Sequence, residues 1–193
     1  VYRRVRLWRL GAGKKRWDMP ARRVKKALSL ALGQVSLLRE RYPGLMHFIL
    51  FWGFVIPMTV AFLSAFGLLP AVRGSFPLIF SLILDLCGGA AIAGVLMAVY
   101  RRYIIRPSRL DILRQDAVNL CWILAILVTG FLVEATRLAI VRPPHAAFSP
   151  IGFAVSVLFR HTSETSLSVA NTVFRRVHLF LVLGFIAYLP YSK

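Results

Sequence analysis

Two histidines stand at the borders of apolar runs, His47 in RYPGLMHFILFW and His178 in RRVHLFLVLGF. A neutral imidazole offers one lone-pair nitrogen to a metal and one N–H to a neighbour, and it is a usual axial ligand of haem iron. Few other ionisable side chains interrupt the apolar runs. Glu134 and Arg137 are three apart, a spacing that lets them pair on one helix face. Asp85 lies mid-run beside Leu86, Cys87, Gly88 and Gly89, where small residues allow close helix contact. An ionisable group in lipid is costly, so each of these is a functional candidate or half of a pair. Glu134 is a candidate proton acceptor. Asp85 either bonds a neighbouring helix or lines a proton path.

These side chains need elements to position them. Hydrophobic residues make up 58% of the 193 and charged ones 17%, with a mean hydropathy of +0.69. That composition belongs to a membrane protein. A hydrocarbon core of about 30 Å needs about 20 helical residues. The sequence predicts an all-α transmembrane helix bundle with four visible spans at about 45–69, 76–100, 117–140 and 174–191. The last is slightly short and opens near His178. A basic segment, 1–44, precedes the bundle; within it ARRVKKALSLALGQVSLLRER, 21–41, places Val24, Leu28, Val35 and Leu38 near one stripe, as an interfacial helix on anionic lipid would.

The net charge of +18 invites a nucleic-acid reading, which the placement of the charge argues against. Thirteen basic residues precede His47, Arg101, Arg102, Arg106, Arg109 and Arg114 lie between the second and third spans, and Lys193 ends the chain. This bias puts both ends of the piece in the cytoplasm. In that topology His47 lies near the inner surface and His178 near the outer one, separated by most of the membrane. They then cannot share an iron, and two haem levels with one visible ligand each are expected.

Other chemistry finds no support. GAGKKR, 11–16, lacks phosphate-loop spacing, and Cys87 and Cys121 form no C-x-x-C pair and read as small buried hydrophobes. Neither a hydrolytic triad nor an internal repeat is visible. The opening VYRRVRLWRL carries charge where a signal peptide needs an apolar core, and the chain reads as an internal piece of a longer polypeptide.

RVHLFLVLGFIAYLPYSK, 176–193, resembles the final helix of the gamma-type cytochrome b subunit of respiratory nitrate reductase and of the heterodisulfide reductase membrane subunit. DAVNLCWILAILVTGFLVEATRLAI, 116–140, resembles the preceding span of the heterodisulfide-reductase-like branch, and PGLMHFILFWGF, 43–54, fits the second span. The resemblance implies five spans, the first preceding Val1. It also implies that His47 shares a cytoplasmic-side haem with a histidine beyond the P-Y-S-K motif. A second histidine on the span of His47 is absent from IPMTVAF, 56–62. The outer partners on offer for His178 are therefore His161, His145 and Met58 within this chain, or a histidine of the preceding first helix, with a vacant outer site as the remaining alternative.

The implied function is a membrane cytochrome b carrying electrons between quinone or quinol and a cytoplasmic iron–sulfur partner or fused domain, through one or two b-type haems. Glu134 and Arg137 would handle quinone and protons. Such a chain is an electron-transfer subunit of a larger prokaryotic cytoplasmic-membrane complex, not a complete enzyme. A haem-free membrane anchor is the alternative. A small-molecule permease rests only on Pro57 and Asp85.

Overall fold

The computed structural model describes residues 19–68, 76–107 and 114–191, without the side chains of 65, 76 and 77. The stretch 1–18 with GAGKKR, and Arg73, Arg109 and Lys193, lie outside the described residues. The described chain is helical, with no strand. Its helices are α1 (Pro20–Ala31), α2 (Arg41–Ala65), α3 (Phe76–Val99), α4 (Arg114–Val141), the short α5 (Pro150–Ser156) and α6 (Glu164–Tyr188). Among the described residues four segments are long and apolar enough to cross a membrane: Arg41–Ser64, Leu78–Ile105, Arg114–Val141 and Glu164–Tyr191. The four-span bundle expected from the sequence is present.

Two boundaries differ from expectation. The amphipathic helix ends at Leu32, because Gly33 is followed by Gln34 in the left-handed region at φ 49°, so Val35 and Leu38 fall in the connecting turns. Only the Val24–Leu28 part of the expected stripe lies on α1. The second difference concerns the last span, which begins at Glu164 and runs through 28 residues. Ser163 caps it by accepting from the Ser166 amide, and Arg175, bonded through Nη2 to Asn171 Oδ1 at 3.0 Å, sits inside the helix without breaking it. Arginine is a good helix former, and charge alone does not end a helix. His178 consequently lies near the middle of this span and not at its start.

The spans pack as a row: α2 on α3, α3 on α4, and α4 on α6, with α5 wedged against α3 and α4. Gly53 lets α2 approach α3 closely, since a Cβ there would stand 2.7 Å from the Cys87 carbonyl oxygen. Tyr42 ties the start of α2 to the Met97 carbonyl at 3.1 Å. An antiparallel seam joins α4 to α6. Positions 122, 129 and 136 of α4 face 185, 178 and 171 of α6, a seven-residue step on both helices. That period keeps one stripe of each helix on its partner, as in a coiled coil. Trp122 meets Phe185 edge-on at 5.9 Å, Thr129 bonds His178, and Thr136 bonds Asn171. The ends of the row, α2 and α6, approach each other through Phe54 and Phe185, whose ring centroids are 6.3 Å apart.

Candidate functional site

Between the two ends of the row lies a cavity of about 740 Å³. Its walls are predominantly apolar and come from α2, α3, α4 and α6, with Ser149 at one end. Cofactor and ligand sites typically occupy about 300–1,000 Å³ with a few placed polar groups. Met58, Asp85, Glu134, Arg137 and His178, drawn from four different helices, all line it. Pro57 contributes too; lacking an amide hydrogen, it leaves the Gly53 carbonyl on the same wall without its helical donor.

His178 is held by the α4 seam. Its Nδ1 stands 3.1 Å from the Ile126 carbonyl oxygen and 3.0 Å from Thr129 Oγ1. A carbonyl only accepts, so Nδ1 carries the proton and donates. Thr129 is itself anchored to the Ala125 carbonyl at 2.7 Å. In the neutral ring Nε2 is then the lone-pair nitrogen, and it has no hydrogen-bond partner among the described residues. Gly130 makes room for the ring, since a Cβ there would lie 3.3 Å from His178 Cε1. One ring nitrogen is thus held by a backbone carbonyl, and the other is left without a partner among the described residues.

Toward the loop end the cavity becomes polar. Arg137 grips Glu134 with two bonds, Nε to Oε2 at 2.8 Å and Nη2 to Oε1 at 2.7 Å. The ion pair expected from their spacing is thus formed. Ser149 Oγ donates to Glu134 Oε1 at 3.3 Å and stands 2.6 Å from Ser81 Oγ. Buried Asp85 accepts the Ile151 and Gly152 amides at 2.8 and 2.9 Å, which ties α3 to the first turn of α5. Of the two roles open to Asp85, the bond to a neighbouring helix is the one it makes. Gly152 fits where it does because it lacks a side chain, as a Cβ would stand 2.9 Å from Glu134 Cγ.

His47 lines a second cavity, about 300 Å³, with Arg101, Arg102, Asp116 and Asn119. Arg102 and Asp116 form an ion pair there. The two histidines do not share a cavity. Their separation is nevertheless smaller than the topology suggested. The His47 cavity takes Asn119, Leu120 and Ile123 from α4, whereas His178 lies against Ile126, Thr129 and Gly130. At a rise of ~1.5 Å per residue these levels are about 12 Å apart along the axis. The cause is the early start of α6, which puts His178 deep within the bundle.

Of the outer partners on offer for His178, only Met58 shares its cavity; His145 and His161 are exposed in the segments flanking α5 and line neither cavity. Cys87 and Cys121 are free, Cys87 half-buried and Cys121 exposed, so the burial expected of Cys121 is not met; helix packing leaves that face of α4 open. Among the described residues no three or more His, Cys, Asp or Glu side chains converge as a metal site. Sequence reasoning missed Ser81, Thr129 and Ser149, single hydroxyls whose importance arises from neighbours distant in the chain. Thr129 carried one faint signal, its place in the seven-residue series with Trp122 and Thr136.

No protein-family model matches the chain, and no solved structure does. Two curated proteins are similar. The EtfAB:quinone oxidoreductase of Syntrophomonas wolfei subsp. wolfei is 28% identical over 207 aligned positions, covering 100% of this chain and 29% of the relative. The probable iron-sulfur-binding oxidoreductase FadF of Bacillus subtilis is 25% identical over 166, covering 83% of this chain and 23% of the relative. The chain thus spans less than a third of the length of either. Both relatives are oxidoreductases by name, and it is to redox proteins that this four-span membrane bundle is similar.

Proposed function

We propose that the chain is the electron-carrying membrane part of a quinone-linked oxidoreductase, a cytochrome b of the nitrate reductase gamma or heterodisulfide reductase type. Haem b would supply the one-electron exchange needed between a two-electron quinol and an iron–sulfur acceptor. His178 would hold the iron through Nε2, while its Nδ1–H keeps the ring in orientation against Ile126 and Thr129. Met58 is the soft donor on the α2 wall of the same cavity. Apolar side chains from four helices make up most of its wall. Glu134, held by Arg137, accepts a proton from quinol at the polar end.

His47 belongs to a second level. Its imidazole would take a second iron, with Arg101 on the cavity wall to face a carboxylate of a porphyrin edge. The bundle sits in a prokaryotic cytoplasmic membrane with the His47 end inward, and an iron–sulfur partner or fused domain meets that end. The names of the two relatives support the quinone and iron–sulfur sides of this reading.

The observation that carries the proposal is the free Nε2 of an anchored imidazole at the wall of an apolar cavity. Reduced-minus-oxidised absorption spectra of purified, haem-loaded protein test it. Wild type gives Soret and alpha bands, His178→Ala removes one component, and His47→Ala removes the other. Wild-type protein without those bands would leave the haem-free anchor as the answer.

A further inference from the structure

Ser149 occupies the N-cap position of α5, yet its side chain makes no capping bond. A serine there ordinarily accepts from the amides two or three residues on. Those amides belong to Ile151 and Gly152, and both are taken by Asp85, which reaches across from α3. Asp85 therefore caps α5 in place of its own N-cap residue. The Ser149 hydroxyl is released for other partners, and it uses them: it donates to Glu134 Oε1, and since its one proton is committed there, Ser81 must be the donor in the 2.6 Å contact.

The result is an ordered chain of hydroxyls ending on a carboxylate that lines the cavity. Ser149 is only 3% exposed, so bulk water does not stand beside it. Glu134 lies one turn beyond Gly130, next to His178, whereas Ser81 is on the second turn of α3 at the loop end. All three side chains line the cavity, with Ser81 toward its loop end. A glutamate protonated from the cavity side reverses its polarity: Glu134 gives a proton to Ser149 as Ser149 gives its own to Ser81, and half-buried Ser81 gives its own to a water at the loop end.

We propose that Ser149 and Ser81 form the relay that removes protons from Glu134. The relay rests on the quinol chemistry proposed above. Quinol loses two electrons and two protons to become quinone; the haem proposed above would take the electrons one at a time, and each proton lands on Glu134 and leaves along the hydroxyls, through Ser81 to water, before the next arrives. Arg137 holds Glu134 in place throughout, and Asp85 is a positioning residue that keeps Ser149 off its own helix.

Stopped-flow reduction of haem-loaded protein by a water-soluble naphthoquinol tests the relay. Ser149→Ala and Ser81→Ala each slow haem reduction by about a hundredfold, and the double variant is little slower than either. Ser149→Thr, which keeps the hydroxyl, returns the rate to within a few-fold of wild type. Haem content and naphthoquinol affinity stay unchanged in all four, so a lost cavity is not the cause. Ser149→Ala reduced at the wild-type rate overturns the relay and leaves the Glu134 reading standing. Wild-type protein that binds haem but is not reduced by naphthoquinol overturns that reading, and the relay with it.

Discussion

Asn171 of α6 donates through Nδ2 to Thr136 Oγ1 of α4 at 2.8 Å, and to the Val133 carbonyl at 3.0 Å, in the interior of the bundle. Thr136 is fully buried and Asn171 nearly so. Seven residues along each helix the same seam places Thr129 against His178, and a further seven place Trp122 against Phe185. Trp122 also donates to the Leu181 carbonyl at 3.0 Å. Lipid tails supply no hydrophobic force between spans, so such polar links and close packing hold the two helices in register. The register sets the depth and orientation of the candidate iron ligand.

Removing the Asn171–Thr136 link tests how much it contributes. A double-mutant cycle with Asn171→Leu and Thr136→Val, followed by unfolding in mixed micelles, gives a coupling of about 1 kcal/mol, within the range found for interhelical hydrogen bonds in membrane proteins. A coupling indistinguishable from zero would show that packing alone sets the seam.

Thr129→Val keeps the shape of the side chain and deletes the hydroxyl beside His178 Nδ1. The Ile126 carbonyl remains as the acceptor, so the ring stays oriented but less firmly. Haem affinity, read by titration of the apoprotein, falls by about tenfold, the lower end of what a lost neighbour of a metal ligand costs. Complete loss of haem would mean that Thr129, not the carbonyl, fixes the ring.

Gly152→Ala introduces a Cβ 2.9 Å from Glu134 Cγ and 3.3 Å from Asp85 Oδ1. Both neighbours are tied by hydrogen bonds, so neither yields freely. Thermal unfolding in detergent reports a loss of about 1–3 kcal/mol, as for overpacking in a filled interior. Ala154→Ser, exposed two residues along α5, leaves the transition unchanged.

Glu134→Gln retains size and one of the two acceptors that Arg137 uses, but cannot accept a proton at neutral pH. Haem reduction by naphthoquinol slows by about a hundredfold while the absorption spectrum is unaltered. Equal rates in the variant and wild type would assign Glu134 the purely structural role of pairing with Arg137.

The membrane character, the four apolar helices and the Glu134–Arg137 pair were all legible in the sequence, because each follows from composition or from spacing within one helix. Apolar length decides what enters lipid, and a separation of three decides which side chains meet on a helix. Where α6 begins was not legible: Arg175 and Arg176 mark a polarity change, yet the helix continues through them to Ser163. The depth of His178 followed from that boundary. Tertiary structure alone decided that Asp85 caps α5, that Ser149 is thereby free, and that Met58, Glu134 and His178 border one cavity. These relations join residues tens of positions apart through the register of one helix against another, and that register is set by the sum of many small contacts that no single stretch of sequence displays.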